Sequence, residues 1–331
     1  MIEILLAFFF ISVLLFFLGS GIWVAISMVG VSSIGMILFT SRPVGDAMAT
    51  TIWGASSSWT LTALPLFVWM GEILFRTKLS ENLFEGLAPW LQKLPGGLIH
   101  VNVVGCALFA AISGSSAATV ATVGKMSIPE LRKRKYPEKI LLGSLAGSGT
   151  LGLLIPPSII LIIYGVTVQE SIAKLFIAGI IPGIMIALIF MGYVIVWSLL
   201  NKNKMPTNYE NFSFLNKLSK SKQLIPVILL ILGVIGSIYT GIATATEAAS
   251  LGVVGALILS YFQKSLTLKT FKDSLLGATK TSCMIAFILA GATFLSLAMG
   301  FTGLPRNLAL WIQNMELSPY VLIFVLMIFY I

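Results

Sequence analysis

Residues that commonly carry catalysis or bind metals are scarce in this chain of 331 residues. It has one histidine, His100, and two cysteines, Cys106 and Cys283, which lie far apart inside apolar stretches. This pattern indicates neither a disulfide framework nor a metal site, and no partner for a histidine-based catalytic triad stands out. Charged residues make up only 10% of the chain. We therefore expect neither an enzyme nor an organic cofactor.

Apolar residues are abundant instead. Hydrophobic residues make up 57% of the chain and its mean hydropathy is +1.00, which is more apolar surface than a soluble domain can hide. Apolar runs long enough to cross a hydrocarbon core of about 30 Å recur along the whole length. They predict an all-α polytopic membrane protein. The predicted spans are residues 2–18, 22–40, 60–76, 138–166, 172–200, 223–240, 246–263 and 279–301.

Positive charge collects between the apolar runs. The formal net charge is +9, and basic residues cluster at 125–139, 202–222 and 264–280. Such clusters are typical of cytoplasmic loops, so the charge indicates membrane anchoring in a lipid bilayer and not a nucleic-acid partner. With these loops inside, residues 42–58 lie outside, and the segment 97–124 enters the membrane from the cytoplasm.

The segment 97–124 has the pattern of a re-entrant helical hairpin, because a polar tip separates two apolar stretches that are each too short to cross a bilayer. The tip residues with this role are Ser113, Gly114, Ser115, Ser116 and Thr119. Their hydroxyls, with the carbonyls that end the first limb, suit a hard cation such as sodium. The N–H groups that open the second limb suit a carboxylate. The alternative is that these small residues only permit close helix packing.

The segment 138–166 is predicted to be a helix broken near the bilayer centre. Two prolines remove N–H donors, and neighbouring glycines loosen the backbone. The carbonyls freed by this break would complete a cation site against the hairpin tip. A simple proline kink is the alternative. The residues of the break are Gly149, Thr150, Gly152, Ile155, Pro156 and Pro157.

Two other polar pairs have structural explanations. Thr244 and Glu247 have the spacing of a capping box, which predicts that a helix begins there. Glu72 and Arg76 lie four residues apart at a helix end, which predicts an ion pair.

The chain shows an internal repeat. An amphipathic pattern with a tryptophan, around 79–91, precedes the hairpin, and a similar pattern recurs around 304–312. The predicted helix count puts the two on opposite sides of the membrane, which is typical of inverted repeats in transporters. The interpretation divides the chain into a first repeat (1–200), a cytoplasmic linker (201–222) and a second repeat (223–331). By this alignment, 318–331 is the first limb of a second hairpin, and we expect a truncated or interrupted reading frame.

Together these segments resemble the large membrane subunit, DctM/SiaM-like, of tripartite ATP-independent periplasmic (TRAP) transporters. The resemblance runs along the whole chain. It rests on SGSSAAT at 113–119, GLLIPPSI at 152–159, LFIAGIIPG at 175–183 and TATEAA at 244–249. The usual family form of the last motif has a proline between the threonines, where this chain has Ala245.

The resemblance implies a sodium-driven elevator in the bacterial inner membrane that imports a carboxylate, such as sialic acid or a C4-dicarboxylate. The implied partners are a small four-helix membrane subunit and a periplasmic substrate-binding protein. Substrate contacts are expected at Ser113, Gly114, Ser115, Ser116, Thr119, Pro156 and Pro157. Sodium contacts are expected at Ser113, Ser115, Gly149, Thr150, Gly152 and Ile155.

Two other functions stay open at this point. A sodium and dicarboxylate symporter with similar hairpins would work without a binding protein. A chain that lacks the second hairpin tip could also be a non-transporting remnant with a role only in assembly. Stimulation of uptake by a soluble partner distinguishes a transporter that needs a binding protein from a symporter that works alone. Uptake itself distinguishes a transporter from a remnant.

Overall fold

A computed structural model describes residues 2–77, 79–206, 213–222 and 224–330, in which all regular secondary structure is helical. The α-helices in chain order are α1 (Ile2–Gly19), α2 (Val24–Phe39), α3 (Val44–Ser56), α4 (Ala63–Phe75), α5 (Leu79–Leu91), α6 (Ile99–Ser113), α7 (Ser116–Lys133), α8 (Glu138–Gly149), α9 (Ile159–Val168), α10 (Ile172–Leu200), α11 (Phe214–Ser221), α12 (Ile225–Tyr239), α13 (Ala245–Phe262), α14 (Leu268–Phe301), α15 (Leu304–Gln313) and α16 (Pro319–Tyr330).

Several helices have the length and composition of membrane spans. Within the described ranges, α10, α13 and α14 are each long and apolar enough to cross a bilayer. The number rises to five if α3 with α4, and α11 with α12, each count as one bent span. Each of the five overlaps a predicted span, although α3, α11 and the beginning of α14 lie outside the predicted bounds. The predicted spans 2–18, 22–40 and 138–166 contain shorter helices. The architecture is that of a multi-pass membrane protein.

The chain forms two compact units. The first comprises residues 1–58 and 283–331. Within it, Gly35 of α2 makes room for the ring of Phe10 on α1, because a Cβ at Gly35 would lie 2.6 Å from that ring. Met36 packs with Phe294 and Ala298 of α14 in a buried cluster.

The second unit comprises residues 59–282. Its core is built around the hairpin of α6 and α7, against which α5 and α8 pack. Phe109 of α6 and Leu141 of α8 are fully buried there. On the other side of α6, α4 packs against α13, where Gly252 gives space to the sulfur of Met70. The hairpin is thus enclosed by helices of its own unit.

Three segments differ from the sequence prediction. The stretch 42–58, which no predicted span includes, contains the helix α3, and α14 begins at Leu268, well before residue 279. The second hairpin limb continues past residue 124 to Lys133. These differences share a cause: the apolar runs mark the bilayer, whereas helical hydrogen bonding continues into polar sequence. In α7, for example, the Glu130–Arg134 ion pair at 2.7 Å supports the polar end.

Both predicted polar pairs are confirmed. Thr244 accepts a hydrogen bond from the Glu247 N–H at 3.3 Å, and the Glu247 carboxylate accepts one from the Thr244 N–H at 2.8 Å, which forms a complete capping box. Arg76 and Glu72 form an ion pair at 2.9 Å.

The base of the hairpin is fastened by Tyr136, which follows α7. Its buried hydroxyl accepts a hydrogen bond from the N–H of Leu98, just before α6, at 3.1 Å. We expect Tyr136→Phe to lower the free energy of unfolding by about 1–3 kcal/mol, because the buried N–H of Leu98 would lose this acceptor. Thermal unfolding of the purified protein in detergent measures the change. Tyr193→Phe, at a side chain that is 60% exposed, is the matched control, and equal stability of the two variants would contradict the expectation.

Candidate functional site

The hairpin tip reverses the chain in two residues. Gly114 ends α6 in the left-handed conformation (φ 58°), and its N–H donates to the Ala110 carbonyl at 3.0 Å. Ser115 is extended and caps α7, where its hydroxyl accepts from the Ala118 N–H at 3.4 Å. The left-handed conformation favours glycine, because glycine has no Cβ. The tip therefore has a defined backbone, with the C-terminus of one helix beside the N-terminus of the next.

The hydroxyl groups of the tip converge. The oxygens Ser113 Oγ and Thr119 Oγ1 lie 3.0 Å apart, and Ser113 Oγ also lies 3.3 Å from the Ser115 carbonyl oxygen. Ser113 and Thr119 are buried. The Ser116 Oγ is buried too and has no hydrogen-bond partner among the described residues. Buried polar atoms normally have partners, so this cluster has capacity to bind something more.

The predicted break in 138–166 is present. α8 ends at Gly149, a 3₁₀ turn follows over Thr150–Leu153, and α9 begins at Ile159. The N–H groups of Leu154 and Ile155 both donate to the Leu151 carbonyl, at 3.0 and 2.9 Å. The stretch is therefore a true interruption of the helix and more than a proline kink.

The connection from the 3₁₀ turn to α9 also has a defined backbone. The peptide bond between Pro156 and Pro157 is cis. The Ser158 hydroxyl, which is buried, donates to the Leu153 carbonyl at 2.6 Å and so closes the non-helical stretch on itself.

The tip and the break meet through their backbones. The Ile159 N–H, at the start of α9, donates to the Gly114 carbonyl at 3.3 Å. A Cβ at Gly114 would lie 2.6 Å from the Pro157 carbonyl oxygen. A Cβ at Gly152 would lie 2.9 Å from both the Ser115 carbonyl carbon and the Ser116 nitrogen. Glycine at both positions permits an approach that any side chain would obstruct.

The structure thus brings together most of the predicted site residues. The tip residues, Gly152 and Pro157 share one contact, and Gly149 faces the second limb, where a Cβ would lie 1.9 Å from Val120. The side chains of two predicted residues are directed elsewhere. The exposed Thr150 donates its hydroxyl to the Gly147 carbonyl at 2.7 Å. Ile155 packs against Gly183 of α10.

Sequence reasoning missed Gly71 of α4. A Cβ there would lie 2.9 Å from the Ser113 Cα and 3.3 Å from the Ser113 carbonyl oxygen, so α4 supports the tip from its first limb. A lone glycine inside an apolar helix was the available signal, but many such glycines only pack helices.

A polar network behind the tip was also missed. The buried Asn102 amide on α6 donates to the Leu141 carbonyl at 3.2 Å and to Ser144 Oγ at 3.0 Å, both on α8. Ser148 extends the network, since its hydroxyl donates to the Ser144 carbonyl at 2.6 Å. Asparagine inside the apolar stretch 97–112 was the signal. These hydrogen bonds join α8 to the hairpin directly behind the site.

The chemical character of the site follows from dipoles. No Asp, Glu, Lys or Arg occurs in 113–119 or in 149–159. Hydroxyl and carbonyl oxygens at the end of α6 suit a hard cation. Helices α7 and α9 both begin at this contact, and the N-terminus of a helix favours anions. A site of this kind can hold a small cation and a carboxylate side by side.

A helical hairpin whose tip rests on a broken helix, inside a multi-pass membrane protein, is an arrangement typical of secondary transporters. The family model of the tripartite ATP-independent periplasmic transporter, DctM component, matches residues 10–331. This chain belongs to that family.

Curated relatives with stated substrates are similar along most of the chain. The C4-dicarboxylate TRAP transporter large permease protein DctM of Pseudomonas aeruginosa is 32% identical over 297 residues, which cover 89% of this chain and 69% of the relative. The sialic acid TRAP transporter large permease protein SiaM of Vibrio cholerae is 32% identical over 311 residues, covering 92% and 70%. The ectoine/5-hydroxyectoine large permease protein UehC of Ruegeria pomeroyi is 33% identical over 276 residues, covering 81% and 62%. These relatives are transporter permeases and not enzymes.

The backbone contact at Gly152 can be tested directly. We expect Gly152→Ala to lower the free energy of unfolding by about 1–3 kcal/mol, because its Cβ would force the tip away from the break. Gly143→Ala is the matched control, since a Cβ there would meet nothing within 4 Å. Thermal unfolding of the two purified variants in detergent measures the difference. Equal melting temperatures would show that tip and break are not in this contact.

Proposed function

We propose that this chain is the membrane permease subunit of a sodium-coupled transporter that imports an organic anion delivered by a periplasmic binding protein. The observation that carries the proposal is the main-chain contact between the hairpin tip and the broken helix, at a tip that carries the hydroxyls of Ser113, Ser115 and Thr119. Family membership supports the transport role, while the coupling ion follows from the chemistry of these oxygens.

In this proposal, sodium binds between the tip and the break. Its ligands are the hydroxyls of the tip together with backbone carbonyls from Gly149 to Ile155. Sodium stabilises the docking of tip on break, because it supplies positive charge where carbonyl dipoles end. Only a conformation with this docking then accepts the substrate, which couples the two binding events.

The substrate is proposed to be a carboxylate. The N–H groups at the start of α7 and the N-terminus of α9 supply the anion-binding dipoles, and the unpartnered Ser116 hydroxyl supplies a donor. Relatives transport substrates as different as C4-dicarboxylates and sialic acid. Competition between these two compounds for uptake distinguishes the two candidates.

The remaining parts of the mechanism come from the family. A small four-helix membrane subunit would complete the permease, and the hairpin with the broken helix would move as an elevator across the bacterial inner membrane. The N-terminal and C-terminal parts of the chain would be inverted repeats.

Sodium coupling predicts a specific effect of Ser113→Ala and Ser115→Ala. Each removes one candidate ligand, so the sodium concentration for half-maximal uptake should rise by about tenfold, as expected for the loss of an interaction worth about 1.4 kcal/mol. Uptake of labelled substrate into proteoliposomes that contain the intact transporter, over a sodium series, measures this shift.

The control is Ser250→Ala on α13, where an exposed hydroxyl donates to the Thr246 carbonyl of its own helix at 3.1 Å. It should leave the sodium curve unchanged. Uptake by the Ser113 and Ser115 variants with the wild-type sodium curve would exclude the assigned cation site, even if transport itself were confirmed.

Dependence on a binding protein is a separate prediction. We expect uptake to require the soluble periplasmic partner loaded with substrate, because the permease would receive substrate only from it. Omitting that partner from the same proteoliposomes should reduce uptake to the level of empty vesicles. Undiminished uptake would favour a symporter that works alone.

A further inference from the structure

The short helix α11, in the stretch between α10 and α12, presents an apolar face that the described residues of its own unit leave largely exposed. Phe214, Leu215 and Leu218 are 66%, 74% and 49% exposed. At helical spacing these three side chains lie on one side of α11. Asn216 lies on the other side and is also exposed.

The helix is nevertheless held in a defined place against α5. The Trp90 indole N–H donates to Ser221 Oγ at 2.7 Å, and the ring of Trp90 meets that of Phe214 edge to face at 6.3 Å. Directly after α11, Leu224 is buried against Gly86 of α5, where a Cβ would lie 2.6 Å from Leu224 Cγ. The apolar face therefore belongs to a docked helix, and its exposure is a property of that docked position.

Positive charge flanks this face. Lys217, Lys220 and Lys222 lie on or directly after α11, and no acidic residue occurs in 213–222. On a helical projection, Lys217 lies at one edge of the apolar face and Lys220 on the opposite side of the helix, while Lys222 directly follows the end of α11. The ammonium of Lys217 also lies 5.4 Å from the centre of the Trp90 ring.

The position along the chain supplies the last observation. α12 begins at Ile225, directly after α11, and the two helix axes differ by 52°. An apolar helix that enters a bilayer is thus preceded, a few residues earlier, by a helix that turns away from it. A bilayer entered by α12 would therefore place α11 near the depth at which the hydrocarbon core meets the headgroups.

From these observations we propose that α11, braced on α5 through Trp90, is a binding surface for anionic phospholipid. Its apolar face enters the acyl boundary, and its lysines pair with the phosphate groups of the same leaflet. The combination of an apolar face, flanking lysines and an aromatic anchor is the pattern of interfacial helices. Each such lysine strengthens attraction to an anionic surface.

A membrane surface fits better than a protein partner for two reasons. The apolar face of α11 is continuous with the entry into α12, so a bilayer that surrounds α12 reaches it without any further docking. The three lysines on and directly after α11, with no acidic residue in 213–222, match a surface that is negatively charged throughout.

The first test removes the charge. The chain with Lys217→Gln, Lys220→Gln and Lys222→Gln is reconstituted in nanodiscs of phosphatidylcholine and phosphatidylglycerol, and retained lipids are counted by native mass spectrometry. The control chain carries Lys217→Arg, Lys220→Arg and Lys222→Arg, which keep the positive charge at the same three positions. We expect the preference for phosphatidylglycerol to fall by about tenfold or more in the first chain only. An equal preference in both chains would overturn the proposal.

The second test locates the apolar face. In a Cys283→Ser background, a bimane fluorophore is placed at Leu215→Cys or, as the matched control, at Asn216→Cys on the opposite side of α11. Brominated phosphatidylglycerol in liposomes should quench the probe at position 215 several times more strongly than the probe at 216. Equal quenching would overturn the proposal. Quenching at 215 that disappears only when a membrane protein partner is added would also overturn it and assign the face to that partner.

Discussion

The second unit depends on the need to satisfy backbone polar groups where helices stop among apolar neighbours. A helix end leaves N–H and C=O groups without partners, and apolar surroundings make that costly. The hairpin tip and the broken helix satisfy such groups for each other, since the Gly114 carbonyl accepts a hydrogen bond from the Ile159 N–H. The glycines at 71, 114 and 152 all serve the same end, because each one allows main chain to approach main chain at the tip.

This constraint also explains which features the sequence predicts well. The tip and the break are both local interruptions of apolar runs, so each is visible from a window of a few residues. The capping box at Thr244 is visible for the same reason. The helix α3, in contrast, occupies a stretch of lower hydropathy, and the polar end of α7 is invisible to any argument based on apolar runs. Helical hydrogen bonding and burial in a bilayer are separate requirements, and only the second leaves an apolar pattern.

Site residues divide along a similar line. The tip hydroxyls could be named from the sequence because their residue types and spacing carry the chemistry. The exposed position of the Thr150 side chain could not be predicted, since it depends on the path of one 3₁₀ turn. Gly71 was missed because a glycine on a distant helix acquires meaning only from what it touches. The Asn102 network belongs to the same category, as its partners Leu141 and Ser144 lie 39 and 42 residues further along the chain. Side-chain hydrogen bonds of this kind hold helices together where lipid offers no hydrophobic driving force.

The joint between tip and break is made almost entirely of main chain, and this has a consequence for how such a protein can diversify. Side chains beside the joint, such as the exposed Ala117 and Leu153, do not take part in the contact that holds the two elements together. On the proposed assignment, mutations there would alter the lining of the site while the main-chain contact stays in place. A single architecture can in this way acquire new ligands by small steps, while the residues that must stay small hold the geometry constant.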